Sequence, residues 1–205
     1  TVGTLVGGTG NDTFDLAGFV LTQSGTLDGG VGSDTLVGAT AYDVTGTNAG
    51  TANGLSGAGG AWTAIENLVG TNSTAGDTFT FESNSSLTGV ASGLDGPDLF
   101  TLAGNATVGT LAGGSGNDTF DLTGATLTQT GTLDGGAGTD TLIGSTLYGI
   151  PSGSTNAGTA SALSGAGGSF TNIENLTGTA GKDTFNFGSA SGLAGTADGL
   201  GDDDT

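Results

Sequence analysis

The stretch GGTGNDTFD, Gly7 to Asp15, sets three glycines and an Asn-Asp pair against a single Phe. It returns as GGVGSDTLV from Gly29, GGSGNDTFD from Gly113 and GGAGTDTLI from Gly135. Glycine at this density lets a tight turn adopt positive φ. The alternation that follows suits a short strand, with Phe14 and Leu16 on one face and Thr13 and Asp15 on the other. A Gly-rich turn fused to a strand and used four times predicts an all-β chain.

Two periods organise these copies. TVGTLVGGTGNDTFDL from Thr1 recurs as TVGTLAGGSGNDTFDL from Thr107, an offset of 106 residues. The offset is 108 between Ile65 and Ile173 and 106 again between Asp77 and Asp183, so residues 1–106 form one long repeat and 107–205 a second, truncated one. Beneath it, Asp followed two places on by an apolar residue marks Asp12, Asp34, Asp77, Asp98, Asp118 and Asp140, then Asp183; Asp204 holds the equivalent place. The gaps are 22, 43, 21, 20, 22, 43 and 21. Each gap of 43 reads as two steps, with an acidless coil near Leu55 (GLSGAGG) and Leu163 (ALSGAGG). The expected architecture is a parallel β-solenoid of about ten coils of 20–22 residues, because one such unit cannot bury its apolar face alone. At about 4.8 Å per coil the rod would be roughly 45–50 Å long.

Within that solenoid the alternation predicts an internal Phe/Leu ladder of Phe14, Leu36, Phe79, Phe100, Phe120, Leu142, Phe185 and Phe187. Thr13, Thr35, Thr78, Thr119, Thr141 and Thr184 form an outward ladder, interrupted by Leu99. Trp62 aligns with Phe170 as a corner or core aromatic.

Composition narrows the function. The 205 residues include 45 Gly, 20 acids, one base (Lys182) and no His, Cys or Met, for a net charge of −19. One cation leaves no basic patch for nucleic acid or an anionic membrane. No apolar run reaches the roughly 20 residues of a membrane-spanning helix. Without His or Cys no Ser-His-Asp arrangement exists. Acids that recur coil after coil do not resemble a unique catalytic pair, so no enzyme is expected. Equivalent aspartates stacked about 5 Å apart repel by about 1 kcal/mol per pair in water and about 3 kcal/mol at an effective dielectric of 20. Such a column calls for wide solvation or a cation, and calcium accepts carboxylate and carbonyl oxygens in flexible geometry.

The four quoted nonapeptides match G-G-x-G-x-D-x-U-x, and the chain resembles the hemolysin-type RTX repeats of secreted bacterial toxins, proteases, adhesins and surface-layer proteins. The resemblance implies calcium (Ca2+) held by Asp12 with Asp34 and by Asp118 with Asp140, together with turn glycines Gly8, Gly10, Gly30, Gly32, Gly114, Gly116, Gly136 and Gly138. Asp77, Asp98, Asp183 and Asp204 are weaker candidates of the same kind. Two departures stand out: the motif occurs once per coil rather than in tandem, and LDGPD (94–98) and TAGKD (179–183) are degenerate. Lys182 could partly neutralise Asp183, Asp28 and Asp134 suit turn caps, and Glu66 and Glu174 read as solvent-facing strand residues.

The expected role is structural: a calcium-stiffened segment of a large extracellular bacterial protein, serving as filament, surface layer, matrix or adhesin stalk. A ligand-binding face for ice or glycan, or a folding and secretion module of a toxin or protease, is the alternative. The chain starts without Met or a visible signal peptide and ends on DGLGDDDT, so it reads as an excerpt, continued covalently or by end-to-end association.

Overall fold

Parallel pairing between segments about one short repeat apart builds the molecule. A computed structural model describes residues 1–17, 19–57, 60–165 and 168–205. Its strands are short, from Leu5–Thr9 to Ala197–Asp198, and no helix occurs among the described residues. That follows from composition, since each Gly costs a helix interior about 1 kcal/mol relative to Ala. The strands form an 11-stranded sheet, a 12-stranded sheet and a small pair, Leu21–Gln23 with Leu55–Gly57.

Most neighbours in a sheet are 20 to 22 residues apart. Leu5 lies opposite Leu27, Phe79 opposite Phe100, Phe100 opposite Phe120 and Phe120 opposite Leu142. At two places the register jumps: Leu27 faces Trp62 and Leu36 faces Leu68, then Leu133 faces Phe170 and Leu142 faces Leu176. Antiparallel strands take up the extra length. Ala41–Gly46 pairs with Ala49–Ala52 around Asn48, which has φ 47°, and Leu147–Ile150 pairs with Gly158–Ala160. The expected extra coils near Leu55 and Leu163 are therefore not separate turns of 21 residues. Leu55 joins Leu21 and Leu163 joins Leu127 in the coil that the hairpin interrupts. Ala58, Gly59, Ala166 and Gly167 of those segments lie outside the described residues.

The inserts also divide the predicted apolar ladder in two. Phe14, Leu36 and Leu68 continue to Ala91, Leu111 and Leu133. Phe79, Phe100, Phe120 and Leu142 instead start from Tyr42. In the second column the rings stack nearly parallel, with centroids 5.1, 4.8 and 4.8 Å apart from Tyr42 to Phe120. Tyr148 repeats the arrangement on Phe185 at 5.2 Å. Each Tyr brings a polar tip that must be paired once buried. Tyr42 donates to the Val69 carbonyl at 2.6 Å and accepts the Ala39 N–H; Tyr148 donates to Thr177 at 2.6 Å and accepts from Ser145. Burial pushes the Tyr148 phenol up to about 12. Trp62 and Phe170 are core residues. Leu99 faces outward as the alternation predicts, whereas Phe187, expected inside, is 47% exposed at the sheet margin.

Candidate metal centre

The motif aspartates form a ladder whose rungs are backbone hydrogen bonds. The N–H of Asp12 donates to Asp34 Oδ1 at 2.7 Å. In the same way Asp77 donates to Asp98, Asp98 to Asp118 and Asp118 to Asp140, at 2.6 to 2.8 Å. Asp183 donates to Asp204 at 2.9 Å. One carboxylate oxygen per coil thus satisfies a backbone donor in the neighbouring coil, and stacking order is written into the acid column.

Glu66 and Glu174 complete these ladders, which corrects their reading as solvent-facing strand residues. Asp34 N–H donates to Glu66 Oε2 and Asp140 N–H to Glu174 Oε2, both at 2.8 Å. The other oxygen of each Glu accepts an amide from the hairpin, Asn48 Nδ2 at 2.8 Å and Asn156 Nδ2 at 2.7 Å. Asn48 Oδ1 then accepts the Thr88 N–H, and Asn156 Oδ1 that of Ala194. The sequence signal was present in the repeated IEN, but a Glu at a different place in the coil escapes a search for Asp at fixed spacing.

The second carboxylate oxygen has two fates. At Asp12, Asp34, Asp98, Asp118 and Asp140, Oδ2 is buried with no hydrogen-bond partner. At Asp77, Oδ2 accepts the Thr71 N–H at 2.6 Å and the Thr71 hydroxyl at 3.2 Å. At Asp183 it accepts the Thr179 N–H at 2.9 Å, so Thr179 takes the part expected of Lys182. Asp204 is exposed. Asp28 caps its turn through the Gly30 N–H, and Asp134 instead accepts from Asn172 of the neighbouring coil.

The turn glycines are required for two distinct reasons. Gly114 and Gly116 have φ of +116° and +146°, a region that L side chains rarely adopt, and Gly8, Gly10, Gly30, Gly32, Gly136 and Gly138 share it. The glycine before each pair serves close approach. A methyl group at Gly113 would meet both Asp118 Oδ2 and the Gly135 carbonyl oxygen; one at Gly7 would meet Asp12 Oδ2 and the Gly29 oxygen. The same pairing of carboxylate and next-coil carbonyl recurs at Gly29, Gly93 and Gly135.

These observations test whether the residues suit calcium. No three acidic side chains converge among the described residues. An ion here would therefore draw on Oδ2 of one acid and on backbone carbonyls. That is the oxygen donor chemistry calcium uses, and unpartnered buried oxygens supply the need for it, since an isolated buried charge costs several kcal/mol. The donor set fits.

Electrostatics point the same way. Burial pushes the Asp98 carboxyl up to about 7 and that of Asp140 up to about 6, with neighbouring acids adding to the rise. Asp77 and Asp118 are also raised by burial. A carboxyl raised above its ordinary value near 3.9 stabilises the fold fully at pH below that value, and this stability is lost as pH rises toward 7. Metal-free chain is thus expected to melt higher at pH 5 than at pH 7.5, by about 5 °C or more. Thermal melts in chelator at the two pH values check this; a higher melting temperature at pH 7.5 would contradict the burial of the column.

No helix among the described residues is long and apolar enough to cross a membrane. No protein-family model matches the chain, and no curated protein matches it.

Proposed function

We propose that this chain is a structural segment of a secreted or cell-surface bacterial protein: a β-solenoid rod whose acid column is neutralised by bound calcium. Its work is mechanical, as part of a filament, surface layer, matrix or adhesin stalk. The observation that carries the reading is the repeated Oδ2 of Asp12, Asp34, Asp98, Asp118 and Asp140, buried and without a partner in a chain with one basic residue. Parallel register at 20 to 22 residues supports the solenoid, and stacked units of this kind lengthen without limit, covalently or by association. No catalytic role is assigned, because the repeated acids are committed to backbone rungs.

In this reading Asp34, Asp98, Asp118 and Asp140, with Asp12, hold the ion together with loop carbonyls. The ion supplies positive charge that permits like-charged carboxylates to stack. Because ligand bound only to the folded state stabilises it by mass action, calcium at 100 times its Kd should add about 2.7 kcal/mol per site. Circular dichroism melts in millimolar calcium against chelator test this. A higher melting temperature with calcium is expected, and identical curves would sink the calcium reading.

A further inference from the structure

The ladder contains two chemically different carboxylates, and the difference is built by the loop in front of each. Where the loop is GGxGxD, or LDGPD after Gly93, it offers Oδ2 no donor. Asp34, Asp98, Asp118 and Asp140 are between 0 and 2% exposed, each with Oδ2 unpartnered. Where the loop is GTNSTAGD or GTAGKD, a Thr supplies the donors. Thr71 gives Asp77 its N–H at 2.6 Å and its hydroxyl at 3.0 Å to Oδ1; Thr179 gives Asp183 its N–H at 2.9 Å and its hydroxyl at 3.3 Å.

These two aspartates are also the first rungs of their ladders. Asp77 is followed by Asp98, Asp118, Asp140 and Glu174, and Asp183 by Asp204. A first rung has no preceding N–H to accept, so both its oxygens would be left bare without the Thr. A last rung, Glu66 or Glu174, hands its spare oxygen to Asn48 or Asn156. Each ladder is therefore closed at both ends by the chain's own donors and open only in its interior.

We infer that Asp77 and Asp183 are ion-independent latches satisfied by Thr71 and Thr179, and that cations are recruited only by the interior carboxylates Asp34, Asp98, Asp118 and Asp140 and by Asp12. This rests on the calcium reading above and narrows it: two of the aspartates that the sequence offers as ligands are withdrawn. It also assigns Thr71 and Thr179 a role that no acid-based motif records. The complete ladder, Asp77 to Glu174, crosses the boundary of the 106-residue sequence repeat, so the ion-binding unit is out of phase with that repeat.

The test uses the whole chain and calcium alone, with bound ions counted by equilibrium dialysis at pH 7.5. Asp118→Asn is expected to bind fewer ions than the parent by roughly one to two, and to melt no lower than the parent in chelator, because a bare buried charge is gone. Asp77→Asn is expected to keep the parent's calcium count and to melt lower in both buffers, since its amide would present donors to the Thr71 donors. Asp183→Asn, at the sheet margin, gives the same comparison where Asp77→Asn fails to fold. Equal loss of calcium in the Asp118 and latch variants overturns the assignment alone. A parent chain that binds no calcium overturns the calcium reading and this assignment with it.

Discussion

Phe120→Ala is expected to destabilise the chain by about 3–5 kcal/mol, while Thr119→Ala changes stability by no more than about 0.5 kcal/mol. Phe120 is fully buried, stacks on Phe100 at 4.8 Å and faces Leu142 in the next strand. Removing its ring opens a cavity inside a column whose spacing is fixed by backbone pairing, so neighbours above and below cannot close in. Thr119 is one residue away and points to the opposite face. Its contribution to the sheet is a backbone N–H to the Asp98 carbonyl at 2.8 Å, which Ala retains. Urea denaturation of the two variants gives the comparison. A larger loss at Thr119 would mean that inside and outside have been exchanged.

The second large effect is expected at a residue without a side chain. Gly113→Ala should cost about 2–3 kcal/mol, the range for forcing atoms into a packed site. The new methyl meets the Asp118 carboxylate and the Gly135 carbonyl, and that carbonyl belongs to the backbone and has little freedom to retreat. Gly3→Ala is the control, with nothing within 4 Å of the added carbon and no positive φ; it should stay within about 0.5 kcal/mol of the parent. Calcium affinity should fall in Gly113→Ala and hold in Gly3→Ala. Equal stability of the two variants would remove the close approach of carboxylate and carbonyl on which the site is built.

Much of the framework was legible because one physical constraint, parallel stacking, imposes one visible period. Asp12 to Asp34 and Asp98 to Asp118 to Asp140 are 22, 20 and 22 apart in sequence, and each pair is joined by a backbone rung. The Phe and Thr alternation likewise follows from strand pleating. The hairpins at Ala41–Ala52 and Leu147–Ala160 were hidden, since their small and polar residues break no local rule of the coil. Assuming an Asp in every turn turned a longer coil with a hairpin into two short ones. Glu66 and Glu174 were missed for the same reason: their longer side chain reaches the ladder from a different position. The donors of Thr71 and Thr179 stand six and four residues before their aspartates, so no fixed spacing announces them.

The division of the aromatic column also has a local cause. Strands such as Leu27–Val31 and Thr35–Val37 carry similar alternation, so the same sequence can pair into either sheet. The hairpin decides which, by placing Tyr42 against Phe79 and leaving Leu68 to pair with Ala91. Tyr42 and Tyr148 fix that choice through hydroxyl bonds to Val69 and Thr177, tying each hairpin to the coil beneath it.

The most direct measurement is a crystal structure grown with calcium, with anomalous scattering collected to locate the ions. The account predicts stacked coils in the register described, with anomalous peaks beside Oδ2 of Asp34, Asp98, Asp118 and Asp140 and none beside Asp77 or Asp183. Stacked coils with no calcium along the column, each Oδ2 lying at hydrogen-bond distance from a carbonyl as a protonated acid would, contradict it.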